Sequence, residues 1–253
     1  MKLLLFLGFN LSNLFCQSYT AHKKNSEYTI FVELLDNNQY IIKSTNVESG
    51  ISFFYEISYG SFNKSNDTIL FKDEMFDYKF SGSIKKGILK INNGIEYLAG
   101  RNFKYSETRI FEPENSIKTI YSLRQEKERN RPLIDSLKTI SYVTSIKIGV
   151  YSLQAKYGKI WHDLDKYKLE INENHKYKLY IHYDYLLFSE GEWEQINHLL
   201  VLKDEKTNAE FMLEIKNNNI LKSILIPAIV GQASNFNLRL NNDKQINTPK
   251  NKN

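Results

Sequence analysis

The chain has 253 residues, 34 Lys plus Arg against 29 Asp plus Glu, and a formal net charge of +5. The mild cationic excess is spread along the sequence without a dense basic run, which argues against nucleic acid as a partner, because phosphate binding gathers cations together. One cysteine excludes a disulfide framework and a paired-thiol zinc site, and 17 Tyr with 15 Phe favour strands over helices.

The chain opens with Met1-Lys2, then Leu3-Leu4-Leu5-Phe6-Leu7-Gly8-Phe9, then Asn10 to Cys16. One positive charge, a short apolar run and a small residue ahead of a polar stretch predict a secretory signal peptide over 1–16. The run is too short, and too broken by Asn and Ser, to span a bilayer. No later segment is apolar enough for a transmembrane helix. The expected location is therefore periplasmic or secreted, with Gln17 as the mature N-terminus. The competing reading is a lipid anchor on Cys16, although Phe15 is larger than the small residue that a lipoprotein cleavage box places there.

Two stretches of the remaining chain repeat one another. At a constant offset of 131, Gly60 matches Gly191, Phe62 matches Trp193, Asn66 matches Asn197, Lys72-Asp73-Glu74 matches Lys203-Asp204-Glu205, and Phe80 matches Phe211. Upstream, Asp36-Asn37 and Tyr40 align with Glu173-Asn174 and Tyr177 if the first copy carries six extra residues in a loop near Val47. Such a doubling marks one supersecondary unit used twice. Period-two alternation identifies the units as antiparallel strands. Phe53, Tyr55, Ile57 and Tyr59 share one face in the first copy; Tyr177, Leu179, Ile181 and Tyr183 share one in the second, as do Ala209, Phe211, Leu213 and Ile215. Asn66-Asp67 and Asn197-His198 are placed where hairpins turn, since Asn tolerates left-handed backbone. Lys-Asp-Glu is read as a solvated strand end rather than a cation site.

The expected fold is mainly β: two related antiparallel β-meander units, each a barrel or half-barrel, over 17–111 and 142–240, joined by a short helical connector at 112–141. Within that connector, Ile117, Ile120 and Tyr121 have helical spacing behind Pro113-Glu114, a suitable helix start. Arg131-Pro132 is expected to interrupt it, with Leu133, Ile134, Leu137 and Ile140 in a second short helix. The charge run Arg124 to Arg131 reads as a solvated face, and the tail over 241–253 as disordered.

Chemical motifs are sparse. The histidines are His22, His162, His175, His182 and His198, with no HExxH pattern. Trp161-His162-Asp163-Leu164-Asp165 and the pair His182/Asp184 read as a polar loop and an exposed ion pair, and Gly82 to Gly87 as a hairpin turn rather than a phosphate loop. No catalytic residue, metal ligand or cofactor is assigned, and an enzyme is the less favoured reading. The alternative is a hydrolase with a dispersed carboxylate and histidine site.

Strands punctuated by Gly-x-Trp/Phe and then Asn-x-Leu-x-Leu-x-Asp resemble the lipocalin-like and calycin-like small barrels of exported Bacteroidetes proteins, over roughly 52–90 and 183–222. The resemblance implies a β-meander barrel with a cavity for an apolar small molecule, or a surface for an envelope protein. Tyr55, Tyr177, Tyr183 and Trp193 are the residues expected to line such a site. The sequence lacks the single N-terminal Gly-x-Trp of true lipocalins.

Overall fold

The structure, a computed structural model, describes residues 17–22, 28–48, 51–106, 113–141, 144–153, 167–181, 186–229 and 236–241. The expected leader over 1–16, the tail beyond Asn241, Tyr183, the stretch Trp161 to Asp165 and the pair His182/Asp184 lie outside them.

The first repeat supplies β1 (Gln17–His22), β2 (Tyr28–Leu34), β3 (Gln39–Glu48), β4 (Ile51–Ser65), β5 (Thr68–Asp73), β6 (Lys79–Lys85), β7 (Ile88–Asn93) and β8 (Asn102–Ser106). Each strand pairs antiparallel with the next, β8 returns to β1, and the sheet closes into an eight-stranded barrel. The helix α1 (Pro113–Thr139) follows. The second repeat supplies β9 (Gly149–Leu153), β10 (Tyr167–Ile171), β11 (Lys176–Ile181), β12 (Leu186–Ile196), β13 (Leu199–Asp204), β14 (Glu210–Asn217), β15 (Ile220–Leu225), β16 (Ala228–Ile229) and β17 (Asn237–Leu240). β17 closes this second barrel on β9, and β16 leaves it to pair with β4 of the first. The fold is thus mainly β, as expected, and both units are full barrels.

The duplication extends to the backbone. Six left-handed residues fall into three pairs, Asn38 and His175, Asn66 and Asn197, Asp77 and Asn208, while Lys86 has no left-handed counterpart among the described residues. Asn66 (φ 53°) and Asn197 (φ 52°) sit in the predicted hairpins. A bulge at Ile57, where β3 and β4 slip by one residue, recurs at Phe188 between β11 and β12. A Cβ on Gly60 would lie 2.1 Å from the Lys72 carbonyl oxygen, and one on Gly191 2.0 Å from that of Lys203. Only glycine permits those strands to approach so closely.

Three expectations change. The six extra residues of the first copy lengthen the β3–β4 hairpin, with Val47 paired to Ser52, rather than forming a loop. The bulge carries Ser58 onto the face of Tyr40, displacing Tyr59, since one inserted residue reverses the alternation beyond it. The connector is one helix of 27 residues that runs through Pro132. It persists because both halves are anchored. Arg124 and Lys127 bind Glu74 and Asp77 of the first barrel, while Asn130 donates to the Ile224 carbonyl and Leu137 packs on Leu199, Val201 and Met212 of the second. The charge run is therefore partly an anchor.

The barrels meet end to end, through the same end of each. The β7–β8 connection of the first sends the Tyr97 N–H to the Phe188 carbonyl on β12, and the corresponding connection of the second sends β16 onto β4 at Tyr55 and Glu56. Phe76, from the β5–β6 loop, packs edge-on against Phe211, with ring centroids 4.7 Å apart. A single apolar core runs through the junction.

Candidate functional site

Of the aromatic residues expected to line a cavity, the described ones, Tyr55, Tyr177 and Trp193, are buried, but they are not gathered in one place. Trp193 closes the outer end of the second barrel. Its indole N–H donates to the Asn172 carbonyl at 3.1 Å, and its ring stacks on His175 at 4.6 Å. Tyr177 points inward and shares a 2.6 Å hydrogen bond with Ser189. Tyr55 lies in the first barrel, where its ring faces Tyr167 across the junction at 6.3 Å.

The repeated phrase itself acquires a different meaning. Asp73 and Asp204, expected in solvated turns, are 0% and 1% exposed. The Asp73 carboxylate accepts from Ser58 and, at 2.5 Å, from the Phe76 N–H, while Tyr40 adds a contact of 3.4 Å. The Asp204 carboxylate accepts from Ser189 at 2.6 Å, from the Lys206 and Thr207 N–H groups at 3.1 and 2.9 Å, and from the Thr207 hydroxyl at 2.8 Å. The carboxylate folds inward because the β5–β6 and β13–β14 loops aim backbone donors at it, and a buried acceptor surrounded by donors is retained. Burial, opposed by those hydrogen bonds, pushes Asp73 up to about 7 and, with the Asp73 charge, holds the Tyr40 phenol well above its ordinary range. Each Tyr–Ser–Asp set is sealed from solvent and braces a loop.

A second charged group lies outside the first barrel, under α1. Glu33, Lys43 and Glu56 are buried there, and the Lys43 ammonium is 3.3 Å from the Thr119 hydroxyl. Burial pushes Glu56 up to about 7 against the pull of Lys43, and burial holds Lys43 below the usual lysine range against Glu56 and Glu33. Among the described residues, no group of three or more His, Cys, Asp or Glu is placed to hold a metal ion.

One outer face remains open, and it was invisible in the sequence. On β5 to β8 the inward residues are buried in alternation, and the outward ones include Lys72, Lys79, Lys85, Lys90 and Lys104, joined by Lys86 in the turn. In register, Lys72 stands opposite Lys79, and Lys85 opposite Ile88, itself opposite Lys104. Between them are Thr68, Ser81, Ser83 and Asn102. Among the described residues only Lys85 of these six has a carboxylate within 4 Å, Asp67 at 3.9 Å. Apart from the adjacent Lys85 and Lys86 in one turn, these lysines are four or more residues apart in the sequence, so no basic run signals them; only the strand register collects them. The second barrel buries its corresponding face under α1. Val201 stands where the first has Leu70 (4% against 57% exposed), and Lys203 faces Glu210 where the first has two lysines.

No family model matches the chain, and no curated protein or solved structure is significantly similar to it. No helix among the described residues is long and apolar enough to cross a membrane.

Proposed function

We propose that the protein is an exported, non-enzymatic binding module of the cell envelope that holds its partner on the outside of its barrels. The observation that carries this reading is how the interiors are filled. In the first barrel Phe71 and Phe80 stack at 4.5 Å, and Tyr40 meets both edge-on. In the second, Tyr177 is held by Ser189 within the apolar core and Trp193 closes the end. Eight strands enclose only enough room for side chains or one small ligand, and here side chains take it. A cleft between α1 and the two barrels, lined by Met75, Leu123, Asn130 and Ile224, offers about 20 Å³, room for a water rather than a lipid. The buried acidic groups are sealed, which favours a structural over a catalytic role for them.

Export is supported by the leader pattern. Among the described residues, the eight strands that close the first barrel all lie after Cys16. The test combines two measurements. Expressed with its leader in a Gram-negative host, the chain is expected in the periplasm or medium with an intact mass beginning at Gln17. Uncleaved protein in the cytoplasm would overturn export, and a diacylglyceryl mass on Cys16 would replace free export with anchoring. Titrated with long-chain fatty acids, the mature protein is expected to keep its thermal midpoint. A saturable rise would return the partner to the lumen.

A further inference from the structure

We propose that the open face of β5 to β8 binds an acidic polysaccharide, a linear chain of uronate- or sulfate-bearing sugars. This rests on the reading of the protein as a module that binds on its outer surface, and it names the surface and the chemistry.

Charge complementarity is the first argument. Among the described residues, Lys72, Lys79, Lys85, Lys86, Lys90 and Lys104 share this face with one carboxylate within 4 Å of any of them, Asp67. Lys72 and Lys79 are direct cross-strand partners, and like charges placed so repel. The second copy answers the same position with Lys203 opposite Glu210. The first copy instead leaves both cations available to an external anion. By strand geometry the four strands span about 15 Å, and Lys79 to Lys85 along β6 spans about 20 Å. The cations thus rim an area that only a polymer, carrying several anionic groups, can neutralise together.

The floor decides which polymer. Thr68, Ser81, Ser83 and Asn102 offer short hydroxyl and amide groups suited to sugar hydroxyls, and the exposed Leu70 and Ile88 among them meet the C–H faces of sugar rings, where the second copy has Met212 at the position of Ser81 and covers it with Leu137. An extended acidic peptide would seek a free strand edge, and β4 pairing with β5 leaves none here. Single-stranded nucleic acid would seek a stacking platform, and Tyr105, the exposed ring at the rim, is turned edge-on to Tyr19. Because α1 occupies the matching face of the second barrel, there is one site per chain.

The test uses the mature chain, 17–253, titrated at low salt with polygalacturonate and a heparin-type glycan, beside neutral dextran, polyglutamate and a single-stranded oligonucleotide. Binding of one or both acidic glycans is expected, weakening steeply with salt, and none of dextran. The variant K79E/K90E places at 79 the residue that the second copy carries, so it is expected to keep its thermal midpoint while losing affinity by roughly tenfold or more, two counterion-releasing cations being reversed. K216E/K222E, on the second barrel, is expected to lose less than about twofold. Equal losses in the two variants, or no glycan binding, would overturn the proposal. Polyglutamate or the oligonucleotide binding as tightly would overturn the glycan assignment while leaving an outer-surface partner standing; fatty-acid stabilisation would instead remove the reading on which the proposal rests.

Discussion

Asp73 and Asp204 show how a residue type can be read correctly and placed wrongly. Asp at a strand end favours solvent on composition alone, and nothing local says that the next loop will turn its N–H groups inward. What was legible was the pairing, because both copies kept Lys-Asp-Glu, and in both the Asp caps a loop. Truncation of Asp204 to Ala strands the Ser189 hydroxyl and two backbone donors, and is expected to cost about 3 kcal/mol or more in urea unfolding. Asn can keep the acceptor and donate to Ser189, so D204N is expected to cost nearer 1 kcal/mol. An equal cost would point to charge, not hydrogen bonding, as what the site requires. The pH dependence has a definite sign. Asp73 and Glu56 both titrate near 7 in the fold against 3.8 and 4.5 without it. The stability each contributes is full below those lower values and is lost as pH rises toward 7. Unfolding free energy is therefore expected to fall from about pH 4 to 7, and D73N to flatten that slope; an unchanged slope in D73N would assign it elsewhere.

At the scale of elements, alternation and turn residues located the strands, because a half-buried strand imprints period two on its sequence. They missed the bulges at Ile57 and Phe188, since one extra residue changes no composition. They also ended the helix at Pro132, where propensity favours a break but packing on both barrels outweighs it. The proline still lacks its N–H, so P132A is expected to stabilise the protein by about 1–2 kcal/mol, the helical gain less the added freedom of the unfolded chain. A lower midpoint would mean that the helix needs its proline to reach both barrels. Close packing at the glycines gives a second test. G191A must displace the backbone at Lys203 and is expected to cost about 1–3 kcal/mol in thermal or urea melts.

For the molecule as a whole, the junction was not legible. Phe76 and Tyr97 belong to one repeat in sequence, while their rings meet Phe211 and Phe188 of the other; long-range pairing leaves no periodicity. One core through both barrels implies one cooperative transition, and calorimetry is expected to show a single peak. F76A is expected to shift that peak as one, at a cost of about 3–5 kcal/mol; splitting into two peaks would show that the barrels fold independently.

The reciprocal contact, in which each barrel's β7–β8 or β15–β17 connection reaches the other's long strand, is the geometry of a two-fold dimer held within one polypeptide. In a true homodimer every substitution appears twice, at symmetry-related points. A fused pair escapes that rule. One copy can surrender a face to the helix while its sibling keeps the same face wet and cationic, so the two halves diverge in surface while their buried pairs, Phe80 with Phe211 and Asp73 with Asp204, stay alike.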